Sequence, residues 1–278
     1  MNQGRSRWWT GVSAVFEFEI RQALTAAGIA WWCILTFFPV AIVSLVLLSP
    51  NARRNVPTTA WQVFFFVLVP FLISMLGTFK WTASAISTEL EGQSWVYLAV
   101  RPNGRVAVSL GKYLAAVSWT LTATLIGITL AVFVTWIANT TLSNSGEIWR
   151  TWFAIARLCC LSVPAYAALY LTLGTIFTKR SMVIVVAYTL IFEVLVSFVP
   201  ALINKFTIQY RLRALFIQWT GIELSATNNE FGWMDIVGEE PAWIHLMALI
   251  SYVAVLVLFA CCLVRKREYL VTSSADIS

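Results

Sequence analysis

Apolar runs of about 18 or more residues recur along this chain, and nothing else in it constrains the fold as strongly. A run of that length, wound as an α-helix, crosses a hydrocarbon core of ~30 Å. Main-chain amides in lipid have no water to bond, so each run must pair its own backbone and reads as a helix rather than an isolated strand. The runs fall near 30–49, 61–80, 113–137, 153–177, 182–203 and 243–264. Composition agrees, with 59% hydrophobic and 12% charged residues, where a soluble domain carries about a quarter charged. The expectation is an all-α polytopic membrane protein, one transmembrane domain over 1–278 with six transmembrane helices.

Before the first span, residues 5–24 place Trp8, Trp9, Val12, Val15, Phe16, Ile20 and Ala23 on one helical face, with Arg7, Thr10, Glu17 and Arg21 opposite. That pattern predicts an N-terminal interfacial amphipathic helix over 1–25, with Glu19 intruding on its apolar face. The same stretch does not read as a cleavable signal, because Arg5, Arg7, Glu17, Glu19 and Arg21 interrupt any apolar core.

Orientation follows from Lys and Arg, which are enriched in cytoplasmic loops. The N-terminus, the 81–112 loop with its flank, the 179–181 turn and the C-terminal tail hold Arg5, Arg7, Arg21, Lys80, Arg101, Arg105, Lys112, Lys179, Arg180, Arg265, Lys266 and Arg267. The opposite segments hold Arg53, Arg54, Arg150, Lys205, Arg211 and Arg213, and also Glu147, Glu223, Glu230, Asp235, Glu239 and Glu240. Both termini are therefore expected in the cytoplasm, with the protein in the plasma (cytoplasmic, inner) membrane. The net charge of +6 then reflects topology, and no basic cluster with interleaved aromatics predicts a nucleic-acid partner.

Catalytic and metal readings lack material. Cys33, Cys159, Cys160, Cys261 and Cys262 lie in or beside spans, where a thiol acts as a small apolar filler, and adjacent Cys pairs fit neither zinc spacing nor an ordinary disulfide. His245 is the single histidine, too few for a metal or haem site. Glu239 and Glu240 beside it have no further His or Arg partners to activate water. Gly111-Lys112 is followed by Tyr113, so there is no phosphate-binding loop. No enzyme activity, metal or cofactor is expected of the chain itself.

The 204–242 segment is too long for a turn and carries Phe206, Tyr210, Phe216, Trp219, Phe231 and Trp233. It reads as short amphipathic pieces over the outer mouth, or as an interfacial aromatic belt. The loop after the second span is more specific. It predicts a helix running past the membrane to Glu91 and stopped at Gly92, an apolar element over 95–100, and a turn at Pro102-Asn103-Gly104 before the third span opens behind Lys112. Glu89, Glu91 and Arg101 around Trp95, Val96, Tyr97 and Leu98 describe either a partner-facing ridge or a connector lying flat in the headgroup layer.

The residues Glu91, Gly92, Ser94, Tyr97, Leu98, Arg101, Pro102, Arg105, Gly111, Lys112, Tyr113 and Leu114 together resemble the permease subunits of ATP-binding-cassette (ABC) transporters of the type-2 exporter group. The N-terminal helix, the span count, the long outer segment and the closing Arg265-Lys266-Arg267-Glu268-Tyr269 fit the same resemblance. Gln93 departs from it, because many relatives run from Gly directly to Thr. The resemblance implies a transmembrane permease coupled to a separate ATPase (nucleotide-binding) subunit, which binds ATP and Mg, and paired with a second copy or a related permease in membrane lipid. Glu89, Glu91, Gly92, Trp95, Tyr97, Arg101, Pro102 and Arg105 would face the ATPase subunit, with Gly111 and Lys112 at the junction with the third span. The alternative is a non-transporting membrane scaffold or a lipid-modifying protein.

Two intramembrane charges stand apart. Glu193 lies about eleven residues into the fifth span, ~16 Å deep, where a carboxylate is costly and finds a partner in protein or water. Arg157, a turn inside the fourth span, reaches part of the way toward it. The pair predicts either a contact that fixes packing or a group that handles substrate or a proton.

Overall fold

The computed structural model describes residues 2–49, 55–87, 89, 104–196, 202–222 and 240–266. Among these residues all regular structure is helical. We number the helices α1 (Asn2–Ala23), α2 (Ala26–Leu47), α3 (Thr58–Thr82), α4 (Gly104–Ile137), α5 (Ile148–Ile176), α6 (Ser181–Leu195), α7 (Ile208–Thr220) and α8 (Ala242–Lys266). Five of them, α2, α3, α4, α5 and α8, are long and apolar enough to cross a membrane, and α6 is a shorter apolar helix. The chain is a polytopic helical membrane protein.

Burial shows how lipid and protein divide these helices. In its most apolar window α5 is 72% buried and α8 only 17%, so α5 is the axis of the bundle and α8 lies at its rim. Helix α5 packs against α3, α4, α6, α7 and α8, while α2 rests mainly on α4. Large apolar side chains such as Leu45, Val183, Leu195, Val255 and Leu258 point outward, the reverse of a water-soluble fold. Inside, polar side chains bridge the helices: Ser162 Oγ donates to Ser74 Oγ (3.0 Å) and Gln62 Nε2 to Thr151 Oγ1 (3.1 Å), the kind of contact that ties helices in a solvent as apolar as themselves. The small residues Ala123, Gly127 and Ala131 are buried, and a Cβ at Gly127 would stand 3.0 Å from the Thr36 carbonyl of α2.

Two helices contain π-helical turns. In α3 the turn spans Val67–Ile73 around Pro70, whose missing N–H breaks the i→i−4 ladder. In α6 it spans Thr189–Leu195, and there only Thr189 and Glu193 are buried while Leu190, Ile191, Phe192 and Leu195 face outward.

Three boundaries differ from expectation. Helix α4 begins at Gly104, so Arg105, Gly111 and Lys112 ride on the helix rather than in the 81–112 loop. Hydropathy stops a span at its first charge, whereas the backbone ladder continues wherever that charge finds a partner. Helix α3 is interrupted by turns at Ala83–Ile86, beyond which Ser87 and Glu89 are again helical, and the expected stop at Glu91-Gly92 lies outside the described residues. The carbonyls of Thr82 and Ala83 turn there toward Gly174 of α5, whose missing side chain admits them. Finally, α7 is enclosed rather than amphipathic. Its residues from Ile208 to Ile217 are buried on every side except at Arg211, which is half-buried, and Phe216 stacks on Phe66 at 4.6 Å.

Candidate functional site

At the α1 end of the bundle, Gly11 meets Ala107, and Val15 and Phe16 meet Gly111, where a Cβ would come within 2.6 Å of Val15 Cγ1. Ala107, Gly111 and Ala115 repeat every fourth residue on α4 and are buried, forming a shallow track for α1. One turn beyond Val15, Glu19 reaches Lys112. The ammonium lies 3.3 Å from Glu19 Oε1 and 2.7 Å from Glu89 Oε1, and the three side chains are 11%, 9% and 18% exposed in the order Glu19, Lys112, Glu89. The acid that interrupts the apolar face of α1 is thus its anchor. Val12 and Ala23 on that face are buried, Val15, Phe16 and Ile20 half-buried, and Trp9 and Phe18 exposed. The face is shared between α4 and the surroundings instead of lying wholly in an interface. Lys112 joins three segments distant in sequence.

Of the residues expected to face a partner, Glu89 and Arg105 are described and lie at this end; Glu91, Gly92, Trp95, Tyr97, Arg101 and Pro102 lie outside the described residues. Ser87 and Ser181 hydroxyls meet at 3.3 Å, which sets the start of α6 at the same level.

From that start Glu193 stands twelve residues along α6 (193 − 181), roughly 18 Å up the axis. The π-turn aims it inward, and it is fully buried. Its partner is not Arg157. The Ile208 N–H donates to Glu193 Oε1 (3.4 Å) and the Gln209 N–H to Oε2 (3.2 Å), so the carboxylate sits on the first turn of α7. A helix N-terminus leaves such amides unpaired and carries about half a positive charge. Exposed Arg157 instead donates to the Phe153 carbonyl (3.2 Å) and lies over the Trp219 ring at 5.1 Å.

Helix α7 is framed at both ends. Thr207 Oγ1 accepts from the Tyr210 N–H (3.2 Å), and Gly221 closes the helix at φ +67°, a conformation that favours glycine. The Arg150 guanidinium packs against Gly221, and its Nε donates to the Trp219 carbonyl (3.4 Å). With 13 residues, α7 is about 20 Å long and too short to span. It lies beside the Arg150–Tyr166 stretch of α5, its first turn near Tyr166, which donates to Gln209 Oε1 (3.3 Å).

A second ionic group flanks α7. Lys205 Nζ lies 2.9 Å from Glu240 Oε1, and Arg211 Nη1 lies 3.0 Å from Glu240 Oε2 and 3.1 Å from His245 Nδ1. Arginine can only donate, so His245 accepts through Nδ1 and carries its proton on Nε2. The hydrogen-bonded Lys205 ammonium holds the Glu240 carboxyl below the usual carboxylate range. Arg213, on the other side of α7, is fully buried.

The pattern of single charges in apolar runs singles out Glu193 and Arg157, the resemblance points to Lys112, and neither reaches Arg213, which lies in the polar 204–242 segment. No protein-family model matches the sequence, and no curated protein matches it either.

Proposed function

We propose that this protein is the permease subunit of an ATP-binding-cassette transporter of the type-2 exporter group, moving its cargo with energy from ATP bound and hydrolysed, with Mg, by a separate ATPase subunit. The observation that carries this reading is the junction at Lys112. The 89–114 stretch bears the sequence resemblance, and its two described ends, Glu89 and Lys112, are in direct contact with each other and with Glu19 of α1. A force applied to the connecting segment is therefore delivered at once to α3, α4 and α1, as coupling between a motor and a membrane domain requires.

In this reading α6 belongs to a further crossing, the fifth in chain order, which brings the total to six. Both termini and the 89–112 segment face the cytoplasm of a plasma or inner membrane, and two permease copies, or this one and a relative, assemble in lipid. The apolar, outward faces of α2, α6 and α8 supply the surface for lipid and for that second copy.

The test is co-purification from mild detergent with an ATPase subunit. Glu91→Lys or Arg101→Glu is expected to abolish the association without lowering the yield of the permease. A protein that is stable without any ATPase and never associates with one sinks the proposal and favours a membrane scaffold. Cysteine labelling of Trp95→Cys from the outside would also sink it, because the segment would then be on the wrong side.

A further inference from the structure

Glu193 is a buried carboxylate facing half a charge, and its surroundings are aromatic. Tyr166 and Tyr170 of α5, Tyr188 of α6 and Tyr252 of α8 all lie within electrostatic reach of it. The Tyr166 and Tyr170 rings stack at 6.0 Å and 28°, and Tyr188 stacks on Phe192 at 4.9 Å and 19°. Their hydroxyls are engaged elsewhere. Tyr166 donates to Gln209, Thr189 Oγ1 donates to the Tyr170 hydroxyl (3.2 Å), and Tyr188 and Tyr252 bond each other. Among the described residues no Lys, Arg or His forms an ion pair with Glu193. Among the described residues the two N–H groups of α7 reach it, at 3.2 and 3.4 Å, at and beyond the long end of the usual N–H···O range of about 2.7–3.2 Å.

Tyr166 bonds Gln209, whose N–H meets Glu193, and Tyr170 bonds Thr189 on the same π-turn, and a carboxylate in such aromatic company is the chemistry that recognises an organic cation. A hard metal ion would want six or more oxygen ligands, and the tyrosine hydroxyls here are spoken for. We infer that Glu193 and the four tyrosines form a seat for a lipophilic cation, an amine or onium group on an apolar body, and that the first turn of α7 fills this seat in the present state. The positive end of α7 stands in for the cation. When the ligand takes the carboxylate, α7 must give up its anchor, so occupancy and the position of α7 are mutually exclusive. The outward face of α6 is apolar and exposed on the same turn, which gives an amphiphile in the membrane a short path to Glu193. That such a ligand is cargo rests on the permease reading; the seat itself does not.

The experiment compares two ions of one shape and opposite charge, tetraphenylphosphonium and tetraphenylborate, binding to the full-length protein in lipid nanodiscs with empty nanodiscs subtracted. The expected result is saturable binding with a preference for the phosphonium of at least about tenfold, equivalent to ~1.4 kcal/mol. Glu193→Gln keeps the shape and one acceptor for the α7 amides, and is expected to bring the preference to about one. Tyr188→Leu alters a half-buried ring and is expected to weaken phosphonium binding severalfold with borate unchanged; it decides the matter should Glu193→Gln fail to fold. Equal binding of the two ions by the wild-type protein overturns the inference, as does a preference that survives the variants. ATPase co-purification is scored separately. A cation preference without an ATPase keeps the seat and removes the transport reading, whereas an ATPase without a preference removes the seat alone.

Discussion

At the α1 end Glu19 and Glu89 share one ammonium at 3.3 and 2.7 Å, whereas within α6 Glu193 meets, among the described residues, only main-chain N–H groups at 3.2 and 3.4 Å. Both sites take carboxylates out of water, and they meet the cost differently. The Lys112 site supplies a full countercharge from a side chain rooted in a long helix, and it ties down three segments at once. The Glu193 site supplies a helix terminus, a weaker and more easily exchanged partner, carried on a helix too short to span. The contrast teaches that the first is built to hold and the second to let go.

The sharpest way to break the comparison is Lys112→Met. It strands two carboxylates with little water and is expected to cost about 3–5 kcal/mol, read as a fall in thermal stability and faster trypsin cleavage at Arg21. Adding Glu19→Gln and Glu89→Gln to that variant should recover most of the loss; failure to recover would mean that Lys112 acts through packing rather than charge. Glu193→Ala comes next, at about 1–3 kcal/mol for each buried amide left without an acceptor. Hydrogen exchange at Ile208 and Gln209 should quicken while exchange in α1 stays unchanged, and a change in both places would show that the two sites are not independent.

Gly111→Ala is expected to cost about 1–3 kcal/mol by overpacking, because the added methyl meets Val15 2.6 Å away on the neighbouring helix α1. Cross-linking of a cysteine pair at Gly11 and Ala107 would report the displacement.

The smallest effect belongs to Glu240. Its carboxyl is held below the ordinary range by Lys205 and then Arg211. A depressed carboxylate contributes stability above the unfolded pKa of about 4.3 and loses it as pH falls through the lower folded value. The stability gap between wild type and Glu240→Gln should therefore be present at neutral pH, amount to no more than about 1 kcal/mol for so open a cluster, and close on acidification below pH ~4. A gap that widens on acidification would reverse the assignment.

Much of the candidate site was legible because lipid makes charge conspicuous. Glu193 stands out in apolar surroundings and Glu19 on the apolar face of α1, while Lys112 is marked by the resemblance at the mouth of the third span. Their partners were not legible. Lys112 and Glu19 are 93 positions apart (112 − 19), and neither marks the other. Arg157 was the nearest cation to Glu193 by depth, but depth ignores azimuth, and the packing of α5 turns Arg157 outward onto Trp219. Helix α7 reads as an amphipathic or interfacial piece for a related reason: Arg211 and Arg213 give it polar positions, while the fold gives Arg211 a carboxylate partner and encloses Arg213.

The sequence by itself determined that this chain lives in a membrane as a bundle of helices, since backbone amides in hydrocarbon leave no other choice for apolar runs of this length. It also determined which few side chains would be expensive to bury. Tertiary structure alone decided how each was satisfied: an ammonium shared between two acids at one level, a helix terminus at the other. The physical reason is that hydrophobic periodicity is local and fixes elements, whereas the pairing of buried charges depends on which faces meet, and that is set only when the helices pack.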